Sequence, residues 1–162
     1  MIVVSDTSPI GSLYLVDRLE LLPAVFGEVV VPEAVFQELL ALESDFGHDL
    51  SSLKKAPWLI VRKVSDQQAV ERFCQELDSG ESEAIVLAQE MHADFLLIDE
   101  SEGRQVAQRE GLHVVGLLGM LMQAKRNGLI TAIKPIMEEL RSVAGFRIAE
   151  QLYKEVLIKM DE

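Results

Sequence analysis

Ile2-Val3-Val4-Ser5-Asp6 and Phe95-Leu96-Leu97-Ile98-Asp99 are apolar runs that each end on an aspartate, and their shared ending decides how the chain is read. Unbroken apolar runs of this length suit strands buried on both faces of a parallel sheet. In open α/β sheets, ligands bind beyond the carboxyl ends of the strands, so both acids fall where a site forms. Carboxylates brought together in a low-dielectric crevice repel one another, and a divalent cation relieves the repulsion.

Outward from these runs, strand and helix signals alternate without repeats or low-complexity tracts. A helical pattern follows the first run through Leu13, Leu15, Val16, Leu19 and Leu22, and Gly27 ends it. Val29-Val30-Val31 is a second strand, with Pro32 expected at the first position of the next helix. That helix carries Ala34, Val35, Glu38, Leu39 and Leu42, and Glu43 to Leu53 has the composition of a loop or irregular helix before Trp58-Leu59-Ile60-Val61. Asp78-Ser79-Gly80 opens a helix bearing Ala84, Ile85, Leu87 and Ala88. The Asp99 strand, a helix near Gly103 to Glu110 and the short strand His113-Val114-Val115 complete a βαβαβ-like order, hence an α/β fold. From Gly116 to Lys159 the pattern is helical, broken near Gly128 and Gly145. Ile148, Leu152, Val156 and Met160 form a stripe that covers either the chain's own core or a partner's, and Met120, Met122 and Met137 read as core fillers.

Composition bounds the function. With 162 residues and 49% hydrophobic content, the chain suits one globular domain spanning 1–162. No apolar stretch approaches the roughly 18 residues of a membrane span, and the N-terminus has no signal-peptide pattern, so the expected location is cytoplasmic. The only cysteine, Cys74, forms no internal disulfide and is expected to be a buried or idle thiol. A formal net charge of −12 opposes tight, sequence-independent binding of a polyanion through a basic surface. Any nucleic acid must be held locally, with Lys54, Lys55, Arg62, Lys63, Arg104, Arg109, Lys125 and Arg126 available as a rim. His48, His92 and His113 have no zinc-ligand spacing.

Two further acids fall on helical faces that point inward. Glu38 lies four residues from both Ala34 and Leu42 on the apolar stripe, although a one-residue slip would turn it outward beside Gln37. Glu81 aligns with Ala84, Ile85 and Ala88 in a first turn, where the helix dipole favours an anion, yet Asp78 and Glu81 also have capping-box spacing. Asp6 and Asp99 likewise sit where an N-cap would. The conjunction of all four, Asp6, Glu38, Glu81 and Asp99, points to an oxygen-donor set for Mg2+ or Mn2+.

Five segments together resemble the PIN domain. They are Val4-Ser5-Asp6-Thr7-Ser8-Pro9, Arg18-Leu19-Glu20-Leu21-Leu22, Val31-Pro32-Glu33-Ala34-Val35 leading to Glu38, Leu77-Asp78-Ser79-Gly80-Glu81-Ser82-Glu83-Ala84-Ile85, and Leu96-Leu97-Ile98-Asp99-Glu100. The chain is most similar to the family's short stand-alone members of toxin–antitoxin (VapC-like) type. The resemblance implies a three-layer α/β/α sandwich on a central, mostly parallel sheet. It also implies an acidic quartet at Asp6, Glu38, Glu81 and Asp99 that binds Mg2+ or Mn2+ and catalyses RNA hydrolysis. By the same resemblance Glu81 is favoured over Glu83 as the ligand, Glu102 matches a further acid of some members, and Thr7 and Ser8 match hydroxyl positions that orient a carboxylate or water. A small antitoxin partner and a homodimer are implied, with no membrane. Many members carry aspartate where Glu81 stands. The alternatives are a non-catalytic PIN-like module that binds protein or nucleic acid, and a phosphotransfer domain of receiver or haloacid-dehalogenase type. The dehalogenase type requires a second aspartate two residues after the first, where this chain has Ser8.

Overall fold

The computed structural model describes residues 1–162. Strand β1 (Val3–Ser5) leads through α1 (Thr7–Leu15) and α2 (Leu21–Phe26) to β2 (Val29–Pro32), then through α3 (Glu33–Phe46) and α4 (Ser51–Lys54) to β3 (Leu59–Arg62). Helices α5 (Gln67–Phe73) and α6 (Ser79–Glu90) connect to β4 (Phe95–Leu97), and α7 (Ser101–Arg109) connects to β5 (Val114–Val115). Three helices complete the chain: α8 (Leu117–Arg126), α9 (Lys134–Ser142) and α10 (Glu150–Lys159).

The sheet order is β3-β2-β1-β4-β5, and every pairing is parallel, so the sheet is wholly rather than mostly parallel. Helices cover it in a three-layer α/β/α sandwich. The chain builds outward from β1 in one direction and from β4 in the other, which places the topological switch point between these two strands. Ser5 is level with Leu97 in that pairing, so Asp6 and Asp99 emerge at the same end of the sheet. Residues such as Val4, Leu96, Leu97 and Ile98 are fully or almost fully buried, which explains why their runs lack polar alternation. Helix α6 packs across β1, β2 and β4 and also against α3, bringing Glu81 and Glu38 to one end of the sheet.

Several local expectations change. The helical pattern from Leu13 to Leu22 is two helices, because Asp17 turns into the left-handed region at φ 57° between them. Pro32 ends β2 and stands at the N-cap of α3, since its extended ψ of 166° keeps it in the strand ladder. Helix α3 continues to Phe46, shortening the expected loop. Gly47 ends it at φ 70°, a conformation that glycine adopts without Cβ strain. Helix α5 has no counterpart in the sequence reading. Cys74, its C-cap, is exposed rather than buried. No helix is long and apolar enough to cross a membrane.

The stripe near the C-terminus lands on the common core through Ile148, Val156 and Met160. Glu162 secures it: its carboxylate accepts the Ile133 N–H at 2.7 Å, the Lys134 N–H at 3.1 Å and the Lys125 ammonium at 2.8 Å. One side chain thus caps the start of α9 and fastens the end of α10.

Candidate active site

Asp6 directly follows β1 and occupies the N-cap position of α1, yet its side chain makes no capping hydrogen bond. At the helix start it feels only the Thr7 backbone N–H. The residue is only 4% exposed. Burial pushes its pKa up to about 7; the Thr7 backbone N–H opposes the rise, while the charges of Asp78, Glu38 and Glu100 add to it.

Asp99 lies two residues beyond β4. Its Oδ1 accepts the Leu117 N–H at 2.9 Å, so it caps α8 and not α7, the helix suggested by sequence proximity. Its Oδ2 is buried with no partner. Burial lifts this carboxyl to about 6, against the pull of the Leu117 N–H and the Arg104 guanidinium.

Glu38 is half-buried on α3 and faces the starts of α1 and α6 rather than solvent. The Thr7 hydroxyl donates to its Oε2. Its carboxylate lies over Gly80, where a Cβ would stand 2.5 Å from Oε2. Glu81 completes the capping box that its spacing allowed: Asp78 accepts the Glu81 N–H at 2.8 Å, and Glu81 Oε1 accepts the Asp78 N–H at 3.4 Å. Its Oε2 meets α7 at Gly103, where a Cβ would stand 2.7 Å away. Burial, followed by the hydrogen bond and charge of Asp78, raises the Glu81 pKa.

The four acids thus lie at one end of the sheet on separate elements, Glu38 and Glu81 in electrostatic reach of Asp6, and Asp99 beside Arg104 and Glu100, with a glycine leaving room at Glu38, Glu81 and Asp99. Asp78 and Glu100, which add to the field at Asp6, were missed by sequence reasoning, as were Gly80, Gly103 and Gly116. A signal existed for two of these glycines. Gly80 and Gly103 lie inside helices where no turn requires them, and such glycines usually mark close packing or function.

Other expected site residues are placed differently. Ser8 borders the site, whereas Glu83 accepts the Ala34 N–H at 3.1 Å and so ties α6 to the start of α3. Glu102 is exposed and lines a separate cavity of about 420 Å³ beside the Arg109–Glu76 ion pair. Of the expected basic rim, Lys54 pairs with Glu43 and Lys125 with Glu162. Arg104 stands at the site itself. A groove of about 1170 Å³ runs from Ser8, Asp99 and Arg104 towards Arg147 and Lys159.

No three Asp, Glu, His or Cys side chains stand together in metal-holding geometry. Glu38, Glu81 and Asp99 are instead turned to Thr7, Asp78 and Leu117. The donor chemistry nevertheless fits a hard divalent ion. Every donor is an oxygen, the charge of Glu38 adds to the raised pKa of Asp6 and that of Asp6 to the raised pKa of Glu81, and the buried Oδ2 of Asp99 has no partner. Freeing Glu81 costs little, because its 3.4 Å bond is longer than a good N–H···O bond.

Residues 2–162 match the DUF3368 family model, a PIN domain. Among solved structures, the chain is similar to a PilT N-terminus domain protein from the hyperthermophilic archaeon Sulfolobus solfataricus P2. That likeness has a TM-score of 0.50 and 22% identity, and covers 75% of this chain and 91% of the other. It bears on the fold alone. No curated protein matches.

Proposed function

Since this chain belongs to the DUF3368 family of PIN domains, a group typically made up of metal-using nucleases, we propose that it is a Mg2+- or Mn2+-dependent endoribonuclease. Asp6, Glu38, Glu81 and Asp99 would hold one or two ions. What supports this reading is that the four acids lie at one end of the sheet beside the switch point, with Asp99 Oδ2 buried and unpartnered. A bound divalent ion supplies a water of lowered pKa and neutralises charge that builds on the phosphate. Hydrolysis joins the water oxygen to phosphorus and breaks one ester P–O bond, the water's proton ending on the leaving oxygen or in solvent. Thr7 holds the Glu38 carboxylate in place through its hydroxyl. Asp99 keeps one oxygen on Leu117 and offers the other.

Within the same reading, the protein is the toxin of a type II toxin–antitoxin pair and a cytoplasmic homodimer inhibited by a small antitoxin. An antitoxin arginine would suit the acids through bidentate pairing. A second reading also has a specific observation behind it. Glu38, Glu81 and Asp99 already serve as structural acceptors, as they would in a non-catalytic PIN-like binding module.

Calorimetric titration of Mn2+ into wild type and an Asp6→Asn, Asp99→Asn double variant, with RNA cleavage measured on the same samples, separates the two. We expect binding and cleavage by the wild type and loss of both in a still-folded variant. A folded wild type that binds no Mn2+ would leave the acids structural and favour the binding module. Light scattering on these samples tests the homodimer, which a monomer at micromolar concentration would refute.

A further inference from the structure

Acids that attract a cation to the switch point repel a phosphodiester, so substrate needs a donor of its own there. Arg104, Arg147 and Lys159 line the groove, and of these Arg104 is the cation that acts on Asp99. Arg104, half-buried on α7, donates from Nη1 to the Ile98 carbonyl at 2.9 Å, one residue before Asp99. A Cβ on Gly116 would lie 2.9 Å from Arg104 Nη1 and 3.0 Å from Asp99 Oδ1. The guanidinium and the carboxylate therefore converge over one Cα, and only glycine leaves the space between them open. They do not close onto each other, since Arg104 takes part in none of the ion pairs. A guanidinium has five N–H donors in a planar fork that matches phosphate, and here one of them is committed. Arg104 also borders the groove together with Ser8 and Asp99, so the fork is accessible to a ligand. Arg109, Lys54, Lys125 and Arg141, by contrast, are held by carboxylates elsewhere.

We propose that Arg104 is the residue that binds the scissile phosphate, its fork taking a non-bridging oxygen at the mouth of the groove beside Asp99. This rests on the hydrolytic reading above and extends it to the residue that receives the substrate. The bond to Ile98 holds the fork at a fixed distance from the acids. A lysine there keeps the charge but loses the second, parallel hydrogen bond.

The test compares wild type with Arg104→Ala and Arg104→Lys. It measures binding of a short fluorescein-labelled mixed-sequence RNA with Mn2+ present, steady-state cleavage of the same RNA, and Mn2+ affinity by calorimetry. We expect Arg104→Ala to weaken RNA binding about tenfold and to lower kcat/KM about a hundredfold, the scale of one lost transition-state donor. Mn2+ affinity should be unchanged or tighter, Arg104→Lys should fall between the two, and millimolar guanidinium ion should restore part of the Arg104→Ala rate. RNA binding and kcat/KM that stay at wild-type values overturn the inference, as does a loss of cleavage matched by an equal loss of Mn2+ affinity, which would make Arg104 a prop for the Ile98–Asp99 segment. If the wild type fails to cleave while Arg104→Ala still weakens RNA binding, the hydrolytic reading fails and phosphate binding at Arg104 stands. If the wild type cleaves and Arg104→Ala cleaves equally well, only this inference falls.

Discussion

At the residue scale, the site is shaped as much by absent side chains as by the acids. Gly80, Gly103 and Gly116 each lie where a Cβ would meet Glu38, Glu81 or Asp99 at 3.0 Å or less. The consequences differ. At Gly103 the added carbon would also meet the fully buried Ile98 at 2.6 Å, so the core resists it. At Gly80 it meets only the end of the flexible Glu38 side chain, which can swing away. Gly80→Ala should therefore shift Tm by no more than a few degrees, because better helix propensity, worth up to about 1 kcal/mol, offsets the displacement. It should nevertheless weaken Mn2+ binding and cleavage at least about tenfold, since Glu38 leaves its place beside Thr7. Unchanged Mn2+ affinity in this variant would show that the position of Glu38 does not matter to the site.

At the element scale, the C-terminal helices depend on a single carboxylate. Glu162 answers two orphan N–H groups at the start of α9 and the Lys125 ammonium, and this hydrogen bonding with the nearby charge holds its pKa below the usual glutamate range in spite of burial. The Lys125–Glu162 pair is largely shielded, with side-chain exposures of 22% and 14%, so it is not an ordinary surface pair. Glu162→Ala should cost about 1–2 kcal/mol by urea denaturation, from the lost cap and the ammonium left unpaired. A change under about 0.3 kcal/mol would mean that water replaces the carboxylate without loss. Hydrogen exchange should locate the loss in α9 and α10 rather than in the sheet.

At the scale of the whole molecule, the buried acids make metal-free stability depend on pH. Asp6, at about 7, and Asp99, at about 6, hold protons that the unfolded chain releases near the ordinary aspartate value of 3.8, and Glu81 is shifted in the same direction. Their contribution is complete below about pH 4 and is lost as pH rises through about 6 to 7. Glu43, Asp49, Glu76 and Glu162 are shifted downward, so what they contribute is lost only on the acid side of about pH 4.5. Between about pH 5 and about pH 8 the buried acids dominate, and Tm measured in EDTA should fall across that interval. Mn2+ should reverse the fall, and Asp6→Asn should flatten it. A metal-free Tm that rises across the interval would contradict this account.

The parallel sheet was legible in the sequence because burial on both faces leaves no polar alternation in Val3–Ser5 or Phe95–Leu97. The strand-end aspartates were legible because strand period is a local property of the chain, whereas the helical period offered the inward face to Glu38 without fixing its register. Asp78–Glu81 announced its capping box for the same reason. What stayed hidden depends on contacts distant in sequence. Asp99 caps α8 across 18 positions, Thr7 reaches Glu38 across 31, and Arg104 and Asp99 converge only because Gly116 lies beneath them. No local pattern could reveal these pairings, because the strand order β3-β2-β1-β4-β5 alone brings the segments together. The sequence by itself therefore determined where the strands lie and which acids stand at their ends or on helical faces that could turn inward. Only the tertiary structure decided which of them meet, because a carboxylate's partner, its burial and hence its pKa are properties of the packed assembly and not of the chain.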